Sequence, residues 1–376
     1  MRSLQKLYMI LSTNFFIKAF FIFFAGLICL AVLIPSGKCE LKPYVAVLPV
    51  NNLSGKTAPL KEIKQSLIDT FNKNQELTVL GEEALESFMA RHRLRYTGGI
   101  DKKTAEVFGQ ETGVKAVLIT TLEFFEDTPP PKIALTSRLV SAGPNPEILW
   151  MDSVGIAGDD SPGILGLGLI NSPKKLREKA LQTLSKSLTG YLSDKSGAHY
   201  TGGKSRKKFR PKEFYRSPVM SHDMKYTLAV VPFFNISERK YAGEIMTTHF
   251  VRELNAFENF SVVEPGAVRE TLLSLRIIMK DGISLADADI IFSSLHADLI
   301  LTGLVLDYQD YQGTTGKPKV NFSVLVIDRK SREVVWTSKS YNEGDDGVYF
   351  FDIGKVNTAH AMASEMARNV VEMMIK

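Results

Sequence analysis

Past residue 43 the chain alternates short apolar runs with amphipathic stretches, and it does so twice. The runs Tyr44–Pro49 and Thr227–Pro232 are rich in Val, Ala and Leu, and each stops at a proline. Proline cannot donate to a ladder, so both read as buried strands that end there. A helix is predicted over about 60–73 and again over about 241–257, followed by short strands at Leu77–Leu80 and Phe260–Val263. Helices over about 82–93 and 102–111 are matched by 266–276 and 285–294. Three strands follow at about 115–125, 132–141 and 147–155, matched by 298–308, 319–328 and 333–341. Turn signals at Thr128–Pro131 and Gly313–Gly316 separate the first two of each set. Each half closes on a helix with an i, i+4 apolar stripe, the mark of core packing. The stripes are Leu176, Ala180, Leu184 and Leu188, and Met362, Met366, Val370 and Met374.

The halves also share a register. Val45-Ala-Val-Leu-Pro-Val-Asn-Asn-Leu-Ser54 returns 183 residues later as Leu228-Ala-Val-Val-Pro-Phe-Phe-Asn-Ile-Ser237, and the offset holds to Thr120 and Gly303. After three inserted residues it continues at 186, pairing Trp150 with Trp336 and Gly158-Asp-Asp160 with Gly344-Asp-Asp346. The expected fold class is α/β: two copies of a mixed-sheet, helix-covered domain, each β-α-β-α-α-β-β-β-α, after an N-terminal apolar signal or anchor helix. The copies are placed at 44–192 and 227–376. Each is long enough to bury its own core and to fold alone, with few contacts between them.

Residues Phe15 to Ile34 are apolar apart from Lys18; Arg2 and Lys6 precede them and Pro35-Ser36-Gly37 follows. A basic start, an apolar core and a small-residue exit make a secretory signal, so residues 1–39 are expected to be a signal peptide or membrane anchor. The uninterrupted core Ala19–Ile34 is long for a cleaved segment and short for a span. Three fates stay open: cleavage after Cys39, retention as an anchor, or lipidation at Cys39. Lys38 stands where a lipobox has a small residue, which weighs against the last. In each case the body is exported, periplasmic and associated with the outer or inner membrane.

Composition narrows the picture further. An apolar fraction of 44% with 22 Phe excludes extensive disorder. Two cysteines, Cys29 and Cys39, exclude a disulfide scaffold, a zinc ribbon or an iron–sulfur site. The net charge of +5 is uneven: four cations and no acid precede residue 40, and 193–226 holds nine Lys and Arg against three Asp and Glu. The two halves together are therefore acidic, and bulk charge gives no case for nucleic acid. Segment 193–226, with Gly202-Gly203, reads as a basic linker and solvated tether. Its cations Lys204, Arg206, Lys207, Lys208, Arg210 and Lys212 are candidate contacts for an anionic membrane surface or an acidic partner.

No catalytic constellation emerges. The histidines are His92, His199, His222, His249, His296 and His360; none recurs at the same place in both halves or stands at ligand spacing to another. No metal or cofactor is expected on that ground. Asp159-Asp160 and Asp345-Asp346 would point to opposite faces of an extended segment, and read as bends before the last helix. Gly163–Gly168 lacks the nucleotide patterns and reads as a partner patch or a buried loop. Asn52 and Asn235, each followed by a serine two residues on, read as turn formers, and Trp150 and Trp336 as core.

Several of these stretches resemble one group of proteins. The opening Ala-Val-Leu-Pro and Ala-Val-Val-Pro-Phe-Phe-Asn-Ile-Ser segments, Ala297-Asp-Leu-Ile-Leu-Thr-Gly303 and the hairpin Val324–Trp336 resemble the CsgG, TolB N-terminal-domain-like and LpoB-like superfamily of bacterial envelope proteins. Gly113-Val-Lys-Ala116 departs from the pattern in the first half. The resemblance implies a tandem duplication of that domain in a non-enzymatic, exported envelope protein. Such a protein would be a protein-binding adaptor or regulator of an envelope assembly, with other envelope proteins as partners. Two alternatives stay open: a component of an outer-membrane secretion or transport system, as CsgG is, and an unrecognised hydrolase. Between Leu304 and Tyr341 the chain has no added lipid-facing segments, which weighs against a pore.

Overall fold

The computed structural model describes residues 43–74, 77–161, 168–193, 206–221, 224–277, 282–311, 313, 316–348 and 354–375. The apolar N-terminal segment with Cys39, the stretch 162–167 and Lys204 lie outside the described residues. Among the described residues no helix is long and apolar enough to cross a membrane.

The first half runs β1 (Tyr44–Val47), β2 (Asn51–Asn52), α1 (Leu60–Asn74), β3 (Thr78–Val79), α2 (Glu82–Arg91) and α3 (Lys102–Thr112). It continues through β4 (Ala116–Glu126), β5 (Lys132–Ser141), β6 (Ile148–Ala157) and α4 (Pro173–Ser193). After β7 (Glu213–Arg216) the same order returns: β8 (Tyr226–Val230), β9 (Phe234–Asn235), α5 (Ala242–Asn255), β10 (Phe260–Val262), α6 (Pro265–Ser274) and α7 (Leu285–Leu295). The second half ends with β11 (Leu299–Gln309), β12 (Lys319–Asp328), β13 (Val334–Glu343) and α8 (Ala359–Ile375).

Two sheets result, ordered β3-β1-β4-β5-β6 and β10-β8-β11-β12-β13-β7, with β2 and β9 pairing β4 and β11. The first three strands of each are parallel and the rest antiparallel. Registers repeat at the offset read from the sequence: Val45 faces Ala116 as Leu228 faces Leu299. The ladder to the next strand skips Glu123 in β4 and Leu306 in β11. Trp150 faces Leu139 and Trp336 faces Val326, so the inserted residues divide into four added before β12 and one removed before β13.

Each sheet is covered on both faces. Ile63, Leu67 and Leu184 of α1 and α4 pack on Leu118, Leu135 and Trp150, while Phe88 and Phe108 of α2 and α3 pack on Val117 and Ile119. In the second half α6 and α7 take one face, through Val268, Ile291 and Phe292. Helices α5 and α8 take the other face and also pack against β6, whose Ile148 and Met151 join their core. The halves thus share a core within one compact unit spanning Pro43–Lys376, rather than meeting through few contacts. The physical reason is a second apolar face on α8. Ala363, Ala367 and Val371 are buried together with the Met362–Met374 stripe, and a helix apolar on more than one side must be covered on more than one side.

The described part of the basic segment is not a solvated tether. Phe209 is fully buried and, with Met220, belongs to the core of the second half. Strand β7 adds to β13 as an antiparallel edge, and Phe214 stacks on Trp336 with centroids 5.7 Å apart. Burying a phenylalanine contributes about 1.5–3 kcal/mol. A few aromatic side chains are therefore enough to dock a segment whose composition is dominated by charge.

Candidate functional site

The polar chemistry of the described residues concentrates where the first sheet meets α5, α6 and α8. Arg138, on β5, donates from Nε and Nη2 to the Glu264 carboxylate at 3.0 and 2.9 Å and from Nη2 to the Gly98 carbonyl at 2.7 Å. Glu264 also accepts from the Ile100 amide at 3.0 Å and caps α6 through Gly266 N. Arg239 donates to the carbonyls of Leu53, Ser54 and Glu123. Its position follows from a turn in which Asn235 accepts from Ser237 N and Oγ and donates to Arg239 O. Asn52 builds the same turn with Ser54 and Lys56.

Deeper in the same interface, the bulge at Glu123 turns a carboxylate toward α5 and α8. Glu123 Oε2 lies 2.6 Å from His360 Nδ1 and 3.7 Å from His249 Nε2, and Oε1 accepts from Thr136 Oγ1 at 2.5 Å. The far nitrogens are held as well, His360 Nε2 by Ser153 Oγ and His249 Nδ1 by Ser364 Oγ, each at 3.1 Å. Gly155 makes room for this, because a Cβ there would collide with the His360 ring. Burial pushes the Glu123 carboxyl up, but His360, His249 and Thr136 outweigh it and hold its pKa at about 2. Burial keeps the His249 imidazole well below its ordinary value, hence neutral.

Beside this network a cleft of about 390 Å³ opens at the C-terminal ends of the parallel strands, lined by Asn51, Tyr96, Thr121, Arg138, Thr247 and Arg269 among others. Open α/β sheets bind ligands at that end, and the volume is of ligand-holding size. Arg269 lies 4.1 Å over the Tyr96 ring, and burial raises the Tyr96 phenol.

The cations expected at an anionic surface are divided. Arg206, Lys207, Arg210 and Lys212 are exposed, with Arg206 3.7 Å from Glu365. Lys208 instead donates to the carbonyls of Asp346 and Gly354 at 2.6 and 2.7 Å, so its ammonium serves the fold rather than a headgroup. The paired acids do bend the chain: Asp160 accepts from Ala157 N and Asp346 from Glu343 N. Trp150 and Trp336 are buried in equivalent strands. Sequence spacing set no histidine beside another, yet His249 and His360 meet, their ring centroids 4.7 Å apart. The signal for this site was the charge inside apolar stretches: Glu123, Lys132 and Arg138 in strands, and His249 and His360 in helices.

No family model matches the chain, and no curated protein does. Among solved structures it is similar to the PelC dodecamer from Paraburkholderia phytofirmans, with 20% identity over 43% of this chain and 94% of that one, at a TM-score of 0.31. It is similar to lipoprotein GNA1162 from Neisseria meningitidis, with 18% identity over 39% and 98% and a TM-score of 0.28. It is also similar to the LpoB C-terminal domain from Salmonella enterica, with 15% identity over 34% and 87% and a TM-score of 0.26. Each likeness spans less than half of this chain.

Proposed function

We propose that this chain is a non-enzymatic envelope protein, exported through its N-terminal segment, that binds another envelope protein as an adaptor or regulator of an assembly. In this reading the two halves are tandem copies of a CsgG/TolB-N-like domain, supported by the common strand order, the bulge at one offset and the twin Asn turns. The binding role rests on one observation. Among the described residues β7 pairs with β13 on one side only and ends its sheet, with Phe214 and Tyr215 more than half exposed and Val219 and Met224 exposed nearby in the chain. An edge of this kind presents free N–H and C=O groups and apolar side chains to an incoming strand. A photo-crosslinking residue in place of Tyr215, used in intact cells, should give one discrete protein adduct that Phe214→Asp removes. The same probe in place of exposed Lys102 should give none. No adduct at Tyr215, or the same adducts at both places, overturns the binding role.

Ser153, His360 and Glu123 follow the hydrogen-bond order of a serine hydrolase relay, and this favours hydrolysis as a second reading. Against it, Arg252 also donates to Ser153 Oγ, and Ser153 does not line the ligand-sized cleft. A fluorophosphonate probe tests this second reading: labelling abolished by Ser153→Ala would establish the hydrolase, and absence of labelling would remove it.

A further inference from the structure

We propose that Glu123, His249 and His360 form a structural site for a divalent metal of the zinc type, clamped between the two halves. One carboxylate and two imidazoles are a common ligand set for zinc. Their ligand atoms all lie within 4.8 Å of one another, with edges of 2.6 and 3.7 Å from the carboxylate. In a tetrahedral site with bonds of about 2.0–2.1 Å, ligand atoms stand about 3.3 Å apart, so the two measured edges bracket the required spacing. The Tyr308 hydroxyl, 3.5 Å from His249 Nε2, stands near enough to fill the fourth position or to hold a water there.

The partners of the ligands strengthen the assignment. A metal-binding histidine commonly donates its other N–H to an oxygen, which fixes tautomer and ring orientation. Here both far nitrogens stand 3.1 Å from a hydroxyl oxygen that can accept such a bond, His249 Nδ1 from Ser364 Oγ and His360 Nε2 from Ser153 Oγ, while Thr136 holds the second carboxylate oxygen. With their protons on those far nitrogens, His249 Nε2 and His360 Nδ1 would both offer lone pairs to the metal. The three ligands come from β4, α5 and α8, and all are nearly inaccessible. The metal would therefore be taken up as the halves close and would couple their docking to folding.

The test uses the full chain, purified in detergent from zinc-supplemented cells, with metal content measured after gel filtration. About one zinc per chain is expected, and growth with cobalt in place of zinc should give the visible bands of four-coordinate Co2+. His249→Gln and His360→Gln, which keep a polar side chain of similar size, should lose metal at least tenfold while retaining a cooperative melt. His92→Ala, which removes the exposed His92–Glu111 pair, should change nothing. Substoichiometric zinc in the unaltered chain overturns the proposal whether or not the variants fold. Zinc retained by both glutamine variants, or lost with His92→Ala, overturns it as well.

Discussion

Arg138 and Glu264 offer the sharpest test of how the halves are held together. Their side chains are 4% and 0% exposed, so replacing Arg138 by Met leaves a buried carboxylate with only the Ile100 and Gly266 amides. Removing one partner of a buried ion pair costs about 3–5 kcal/mol. At about 2.1 cal/mol/K of unfolding entropy per residue, a unit spanning Pro43–Lys376 loses about 1.4 °C of Tm per kcal/mol. Arg138→Met should thus lower Tm by about 4–7 °C. Glu264→Gln alone should also destabilise, because it strands the guanidinium. The double variant removes both charges, and the new amide oxygen can still accept from Ile100 N and Gly266 N. It should therefore be more stable than Arg138→Met alone, with a coupling of about 2 kcal/mol or more in a double-mutant cycle. Near-UV circular dichroism melts of the four proteins measure this. Additivity within about 0.5 kcal/mol would refute the view that this pair fastens the halves.

Other expectations are quicker to check. His296 ends α7 at φ 52° where Gly113 ends α3 at φ 75°, so His296→Gly should stabilise by about 1 kcal/mol in a thermal melt. Phe209→Ala should cost about 3–5 kcal/mol and expose the segment around β7 to limited proteolysis, since Phe209 is fully buried. Replacing the exposed Arg206, Lys207, Arg210 and Lys212 together by Ser should shift stability by no more than about 0.5 kcal/mol for each residue changed. It should also weaken co-sedimentation with anionic vesicles, an attraction that falls with salt. Lys208→Ser should lower Tm instead, because two carbonyls lose their donor.

What could be read beforehand follows from the kind of constraint involved. Strand and helix positions were legible because periodicity is local and was written twice; β5 and β12 fall at the residues expected. The turn roles of Asn52 and Asn235 were legible for the same reason. The interface was not. Arg138 finds Glu264, and His249 finds His360, across more than a hundred residues and between different elements, where neither spacing nor the repeat carries information. Nor does the repeat point to the acid: Glu123 occupies a bulge whose counterpart is Leu306, an exposed apolar residue. The basic segment was misread because charge composition outweighed Phe209 and Phe214.

The wall that α5 and α8 lend to both sheets sets an order of events. During synthesis the first half is complete by Ser193, yet Glu123 and Arg138 then still lack His360 and Glu264. Until Ala359–Ile375 has been made, the N-terminal half therefore stands with Glu123 unpaired by His360 and a patch of β6 uncovered. A premature stop shortly before α8 would take one wall from the second sheet and uncover β6 of the first, so that a small deletion would reach both halves at once.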